Sequence, residues 1–146
     1  MSKHHMKIDL NASQNIILGK TGSGKTTYVK KLLKLASFDQ IFVFTTTPWE
    51  WGGLGKITIY SFEHIGLIEK LFDASMRHIQ KAIIIDNFVG VINLKTCCSI
   101  MEKIFTQGRH FSCAVFLICQ YLKQISPTCR ENARHIWIFK SAFANY

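Results

Sequence analysis

The chain has 146 residues, 48% of them hydrophobic, and carries a net charge of +9. That length makes one domain with a core of its own, and the composition is globular, with no low-complexity stretch and no linker. No apolar run approaches a membrane span, no signal peptide opens the chain, and the five cysteines include no CxxC pair; the expectation is an intracellular protein without a membrane span, a disulfide framework or a zinc site.

In chain order, short β-type runs alternate with helical spacings. Residues 15–18 (NIIL) read as a strand that runs into a glycine-rich loop. A helix is expected from about 25 to 36, with Val29, Leu32, Leu33 and Ala36 on one face and Lys30, Lys31 and Lys34 on the other. Strands follow at 41–44 and 57–60, separated by TTTPWEWGG, where Pro48 cannot donate to a ladder. Apolar residues at 62, 65, 68, 71, 72, 76 and 79 predict a helix over 62–79. A buried strand at 82–85 ends in Asp86. A helix is expected over 94–105, a buried strand over 114–119, a turn or short helix near Asn132, and a last strand over 136–139. The Ile, Val and Phe runs are continuous rather than alternating, as in strands covered on both faces. The fold class is therefore α/β, a mostly parallel sheet with helices on both faces.

The loop reads Gly19-Lys20-Thr21-Gly22-Ser23-Gly24-Lys25-Thr26-Thr27. It has the spacing G-x-x-x-x-G-K-[ST], placed between a strand and a helix. Its glycines let backbone N–H groups approach phosphate oxygens, Lys25 reaches the β- and γ-phosphates, and the Thr26 hydroxyl can ligate Mg²⁺. Thr27 lies in the first helical turn, within reach of an α-phosphate, and the helix N-terminus favours anions. The expected ligand is ATP with Mg²⁺. Asp86, at the carboxyl end of a buried strand, is the second candidate for the Mg²⁺ shell. Gln120 ends the next buried strand, where a polar tip residue can face the γ-phosphate.

The excess charge is uneven. Residues 1–34 hold seven Lys and one Asp, a net +6, and residues 101–146 hold six bases and two acids, a net +4. Part of this serves the nucleotide, and the rest fits either a solvated surface or a polyanion such as nucleic acid, with Lys123 and Lys140 as candidate phosphate contacts. Trp49 and Trp51, beside Glu50 on a glycine-rich loop, either cover the local core or stack on a base or a neighbouring subunit. The six histidines have no metal-ligand spacing.

GKTGSGKTT, IIIDNF and the segment over 108–140 together resemble the FtsK–HerA superfamily of DNA-pumping ATPases. Within it they are most similar to the genome-packaging ATPases of large double-stranded DNA viruses, of the poxvirus and giant-virus type. The resemblance implies a RecA-like sheet with an additional strand between the loop strand and the Asp86 strand. It also implies ring-shaped homo-oligomers, sequence-independent double-stranded DNA as partner, capsid components nearby, and work in the host cytoplasm, a virus factory or the virion. Residues 1–146 would then be one ATPase domain, a minimal or C-terminally truncated core. Family members usually place a second acid after the metal acid, whereas this chain has Asn87, which can orient water but not take its proton; Glu50 is the candidate substitute. Arg109, in GRH before the Gln120 strand, is the candidate arginine finger for a neighbouring subunit, with Arg130 second and a plain helix-terminal role as the bland reading. A small nucleoside-kinase-type phosphotransferase and a nucleotide-gated binding module with weak hydrolysis stay open as alternatives.

Overall fold

A computed structural model describes residues 10–87 and 94–139, apart from the side chains of 94–98. Six strands form one sheet: β1 (Gln14–Leu18), β2 (Gln40–Thr45), β3 (Ile57–Tyr60), β4 (Lys81–Asp86), β5 (Cys113–Cys119) and β6 (His135–Ile138). Their order across the sheet is β3-β2-β4-β5-β1-β6, and every pairing is parallel. Every residue of β1, β4 and β5 is buried, which accounts for their unbroken apolar runs. Alternate residues feed two cores. Ile16, Leu18, Ile83, Ile85, Val115 and Leu117 face the layer that includes α2 (Leu94–Gln107) and α3 (Pro127–Asn132). Ile17, Ile84, Phe116 and Ile118 face α1 (Lys25–Leu35), through its Val29, Leu32 and Leu33.

The expected α-helix over 62–79 is not one. Phe62–Leu71 and Ala74–Met76 are 3-10 helices. The reason lies in the spacing: Phe62, Ile65, Ile68 and Leu71 are the buried residues of the first segment, a strict repeat of three that suits 3.0 residues per turn better than 3.6. Lys81 joins β4 one residue earlier than expected and is fully buried. Its ammonium donates to the carbonyls of Met76 (2.6 Å) and Ile79 (2.8 Å), so the end of the 3-10 segment is closed by a charged cap. Burial lowers the Lys81 pKa, against opposing effects of Cys113 and Asp39. Cys113, Cys119 and Cys129 are buried thiols, and desolvation pushes Cys113 up to about 11. Cys97 and Cys98 lie outside the described side chains.

Asn15 pins the centre of the sheet. Its amide nitrogen donates to Val115 O (3.0 Å) and Ser13 Oγ (2.9 Å), which leaves Oδ1 to accept from His135 Nδ1 (2.9 Å). One side chain thus joins β5, β1 and β6 and fixes the His135 tautomer. Burial, and then the nearby Arg134 charge, lower the His135 pKa. The unfolded chain therefore binds a proton at this position at a higher pH than the folded one. Stability from this source is complete above the ordinary histidine pKa of about 6.5 and is lost as pH falls from there through the lowered folded-state value. The thermal midpoint should drop on acidification through that window. His135→Gln, which can still donate to Asn15, should show a smaller drop, and an unchanged drop would contradict this assignment.

Candidate active site

All strands run the same way, so the loops after β1, β2, β4 and β5 emerge at one edge, and the site is built there. A cavity of about 330 Å³ is lined by Thr21, Gly22, Gly24, Lys25, Thr26, Thr27, Thr46, Thr47, Glu50, Asp86 and Asn87. The phosphate loop leaves β1 through Gly19, whose N–H donates to Cys119 O at the tip of β5 (3.1 Å). A Cβ on Gly19 would lie 2.6 Å from Ser23 Oγ and 2.9 Å from Phe139 Cβ, so the chain passes there only without a side chain. Gly22 (φ 82°) and Gly24 (φ 93°) turn the loop through the left-handed region. Gly24 caps α1 without a side-chain bond, leaving the N–H groups of the first turn available to an anion. Lys20 is half-buried in the loop wall, and its carbonyl accepts from Ser23 N–H (3.1 Å).

Lys25 is buried, and its ammonium donates to Gly19 O and, at 3.4 Å, to Cys119 O. Desolvation lowers its pKa, against the opposing effects of Cys119 and Asp86. An ammonium has three donors, so one remains for a ligand in the cavity that Lys25 lines. Gln120 Nε2 donates to Thr21 Oγ1 (2.8 Å), bringing the β5 tip against the phosphate loop. This contact exists because β5 lies between β4 and β1, in the position expected of the additional strand.

Asp86 is buried at the end of β4. Its Oδ2 accepts from Thr45 Oγ1 (2.9 Å) and from the Trp51 indole N–H (3.0 Å). Oδ1 receives neither of these donors. With the Thr26 hydroxyl on the same cavity, it supplies the small set of hard oxygen ligands that suits Mg²⁺, a cation that keeps several waters. These residues fit the metal, which when bound would supply positive charge to offset that of a phosphate.

Asn87, next in the chain, is exposed and sits at φ 58°, with its N–H donating to Ile118 O (3.0 Å). Asparagine tolerates this left-handed backbone better than glutamate does. Glu50 comes from the Pro48–Trp51 turn that follows β2. Its Oε2 accepts from Thr47 Oγ1 (2.9 Å), and its carbonyl accepts from Lys30 of α1 (3.1 Å). Glu50 thus shares the cavity with Lys25, Thr26 and Asp86. Sequence reasoning missed Thr45 and Thr47 and did not foresee the role of Trp51. Trp51 is fully buried and covers the core, whereas Trp49 is 76% exposed. The available signal was that a buried indole needs an acceptor.

Arg109 does not belong to this cavity. It lies in the turn Gly108–Phe111 before β5, and seven strand residues separate that turn from Gln120. At 3.3 Å per residue that is about 20 Å, the length of β5. There Arg109 lines a separate hollow of about 410 Å³ with Gln14, Glu131 and Arg134. Arg130, on α3, has a buried Nε without a hydrogen-bond partner among the described residues. Lys140 lies outside them.

No family model and no curated protein sequence matches the chain. Solved structures do match it in fold. The genome packaging NTPase B204 of Sulfolobus turreted icosahedral virus 2, in complex with sulfate, superposes with a TM-score of 0.70 at 16% identity, over 91% of this chain and 74% of that one. The cytoplasmic domain of EssC superposes with a TM-score of 0.67 at 16% identity, over 87% of this chain and 31% of that one. The shared feature is the fold, an α/β P-loop NTPase fold. EssC ATPases 2 and 3 from Geobacillus thermodenitrificans give a TM-score of 0.59 at 15% identity, over 90% of this chain and 33% of that one. The chain thus spans about a third of the EssC chains and three quarters of the B204 chain. Among the described residues no helix is long and apolar enough to cross a membrane.

Lys25→Ala removes the buried cation that lines the cavity and should weaken ATP binding by at least about 30-fold, the equivalent of ~2 kcal/mol. Calorimetric titration with ATP checks this. Parent-like affinity would mean that the loop does not hold the triphosphate as described.

Proposed function

We propose that this chain is the ATPase core of a motor that hydrolyses ATP to translocate double-stranded DNA, of the kind that packages a viral genome into a capsid. The observation that carries the reading is the convergence of Lys25, Thr26, Asp86 and Glu50 on one cavity, with Gln120 bonded to the loop. Glu50 is the general base in this account. It is a carboxylate held by Thr47 at the rim of the phosphate cavity, where a water attacking the γ-phosphate would stand. Asn87 orients that water, and Lys25 with the loop amides stabilises the charge that develops on the transferred phosphoryl group. The presence of Glu50 favours a hydrolase over the gated module that Asn87 alone would have favoured. The packaging NTPase among the structural neighbours supports DNA as the cargo, and the basic surface agrees with it. Such a motor works with capsid components, in the host cytoplasm, a virus factory or the virion.

Expected in solution is an ATPase stimulated by duplex DNA of any sequence, with a stimulation that falls steeply as salt rises. Lys123→Gln should lower the log–log salt slope by about one if that lysine contacts a phosphate. A rate indifferent to DNA, together with phosphoryl transfer to an added nucleoside, would replace the motor with a kinase.

In the same account Arg109 belongs to a ring. About 20 Å from its own phosphate loop, an arginine finger at this position would act on a neighbour's nucleotide. Arg109→Ala should bind ATP normally and hydrolyse it about 10³-fold more slowly. Mixing it with Lys25→Ala should restore part of the rate, because an intact loop then meets an intact arginine. Mixed rings without recovery would remove Arg109 from the mechanism.

A further inference from the structure

We propose that Trp51 and Thr47 are positioning residues, joined through Thr45 into one bracket that fixes the metal acid Asp86 and the base Glu50 relative to each other. The inference rests on the reading of Glu50 as base. The bracket is a continuous chain of contacts. The Trp51 N–H donates to Asp86 Oδ2 at 3.0 Å, Thr45 Oγ1 donates to the same oxygen at 2.9 Å, and Thr47 Oγ1 donates to Glu50 Oε2 at 2.9 Å. Thr47 N–H donates to Thr45 Oγ1 at 3.0 Å and closes the link between the two halves. Between the hydroxyls of Thr45 and Thr47 the separation is 3.2 Å, longer than either hydroxyl–carboxylate contact. Each hydroxyl is thus placed to donate to its own carboxylate.

The bracket is anchored on three sides. The Trp51 ring is fully buried in the core beneath α1. Lys30 holds the Glu50 carbonyl from α1, and Glu50 N–H donates to Thr47 O (3.0 Å). Pro48 sets the first residue of the turn. Two donors on Oδ2 fix the plane of the Asp86 carboxylate and leave Oδ1 as the oxygen for a cation or its water. Partners that orient a metal-binding carboxylate in this way are typically worth about 10–100-fold in metal affinity or activity.

Conservative variants separate this role from packing. Trp51→Phe keeps an aromatic ring and deletes the donor. Its affinity for ATP without Mg²⁺ should equal the parent's, while the Mg²⁺ concentration that half-saturates the Mg²⁺-dependent gain in nucleotide affinity should rise about 10-fold or more. Thr45→Val removes the other donor to the same oxygen and should shift the Mg²⁺ requirement likewise, so the outcome does not depend on Trp51→Phe folding. Thr47→Val should lower kcat about 10-fold with KM and the Mg²⁺ requirement unchanged, and Thr47→Ser should recover it. An unshifted Mg²⁺ requirement in folded Trp51→Phe or Thr45→Val, or a parent-like kcat in Thr47→Val, overturns the bracket. The reading of Glu50 fails separately, if Glu50→Gln hydrolyses ATP like the parent.

Discussion

Gln120, Asp86 and the phosphate loop stand side by side because β5 enters the sheet between β4 and β1. The contact of Gln120 with Thr21 and the hold of Cys119 O on Gly19 depend on that placement. Three neighbouring strands buried on both faces have no freedom to slip, since a shift of one residue would turn each apolar side chain into the wrong core. Asn15 adds a polar lock on β5, β1 and β6. Parallel pairing then delivers the strand ends to one edge in fixed register, where Thr45 sits beside Asp86 and Asp86 beside Ile118. The chemistry is carried by loops, and the rigid sheet sets their spacing.

Electrostatics follow from the same frame. Lys25 is taken out of water and held on two carbonyls, which leaves a charge in a poorly solvated place where an anion would interact strongly with it. The acids around it are held by neutral donors: Asp86 by a hydroxyl and an indole, Glu50 by a hydroxyl. Among the described residues the single ion pair is His64–Glu63 (3.4 Å), on the surface. The lysines and arginines of the described residues are therefore not tied up in ion pairs with acids.

Much of the sheet was legible because buried parallel strands announce themselves as short continuous apolar runs, and GKTGSGKTT places its own strand and helix. The six expected strands all form, each within a residue of its expected bounds. The segment after β3 was misjudged because repeats of three and of 3.6 coincide over two turns and diverge only over a longer stretch. Lys25, Thr26 and Asp86 could be read because each has a fixed place in a local motif. Glu50 was readable only as a candidate, since it reaches the cavity through the turn after β2. The contacts of Thr45 and Trp51 with Asp86 could not be read, because they depend on β2 pairing with β4 far away in sequence; that of Thr47 with Glu50 is local but needs the geometry of the turn. The Arg109 position could be inferred in the chain but not its distance from the loop, which follows from β5 running from one edge of the sheet to the other.

The central claim is that this edge delivers water, and no other nucleophile, to the γ-phosphate. Hydrolysis of ATP in ¹⁸O-labelled water tests it most directly, by mass spectrometry of the phosphate released. The account predicts inorganic phosphate that carries one oxygen from solvent, formed in step with ADP. ADP formed without labelled phosphate, with the γ-phosphoryl group recovered on another acceptor, would contradict it.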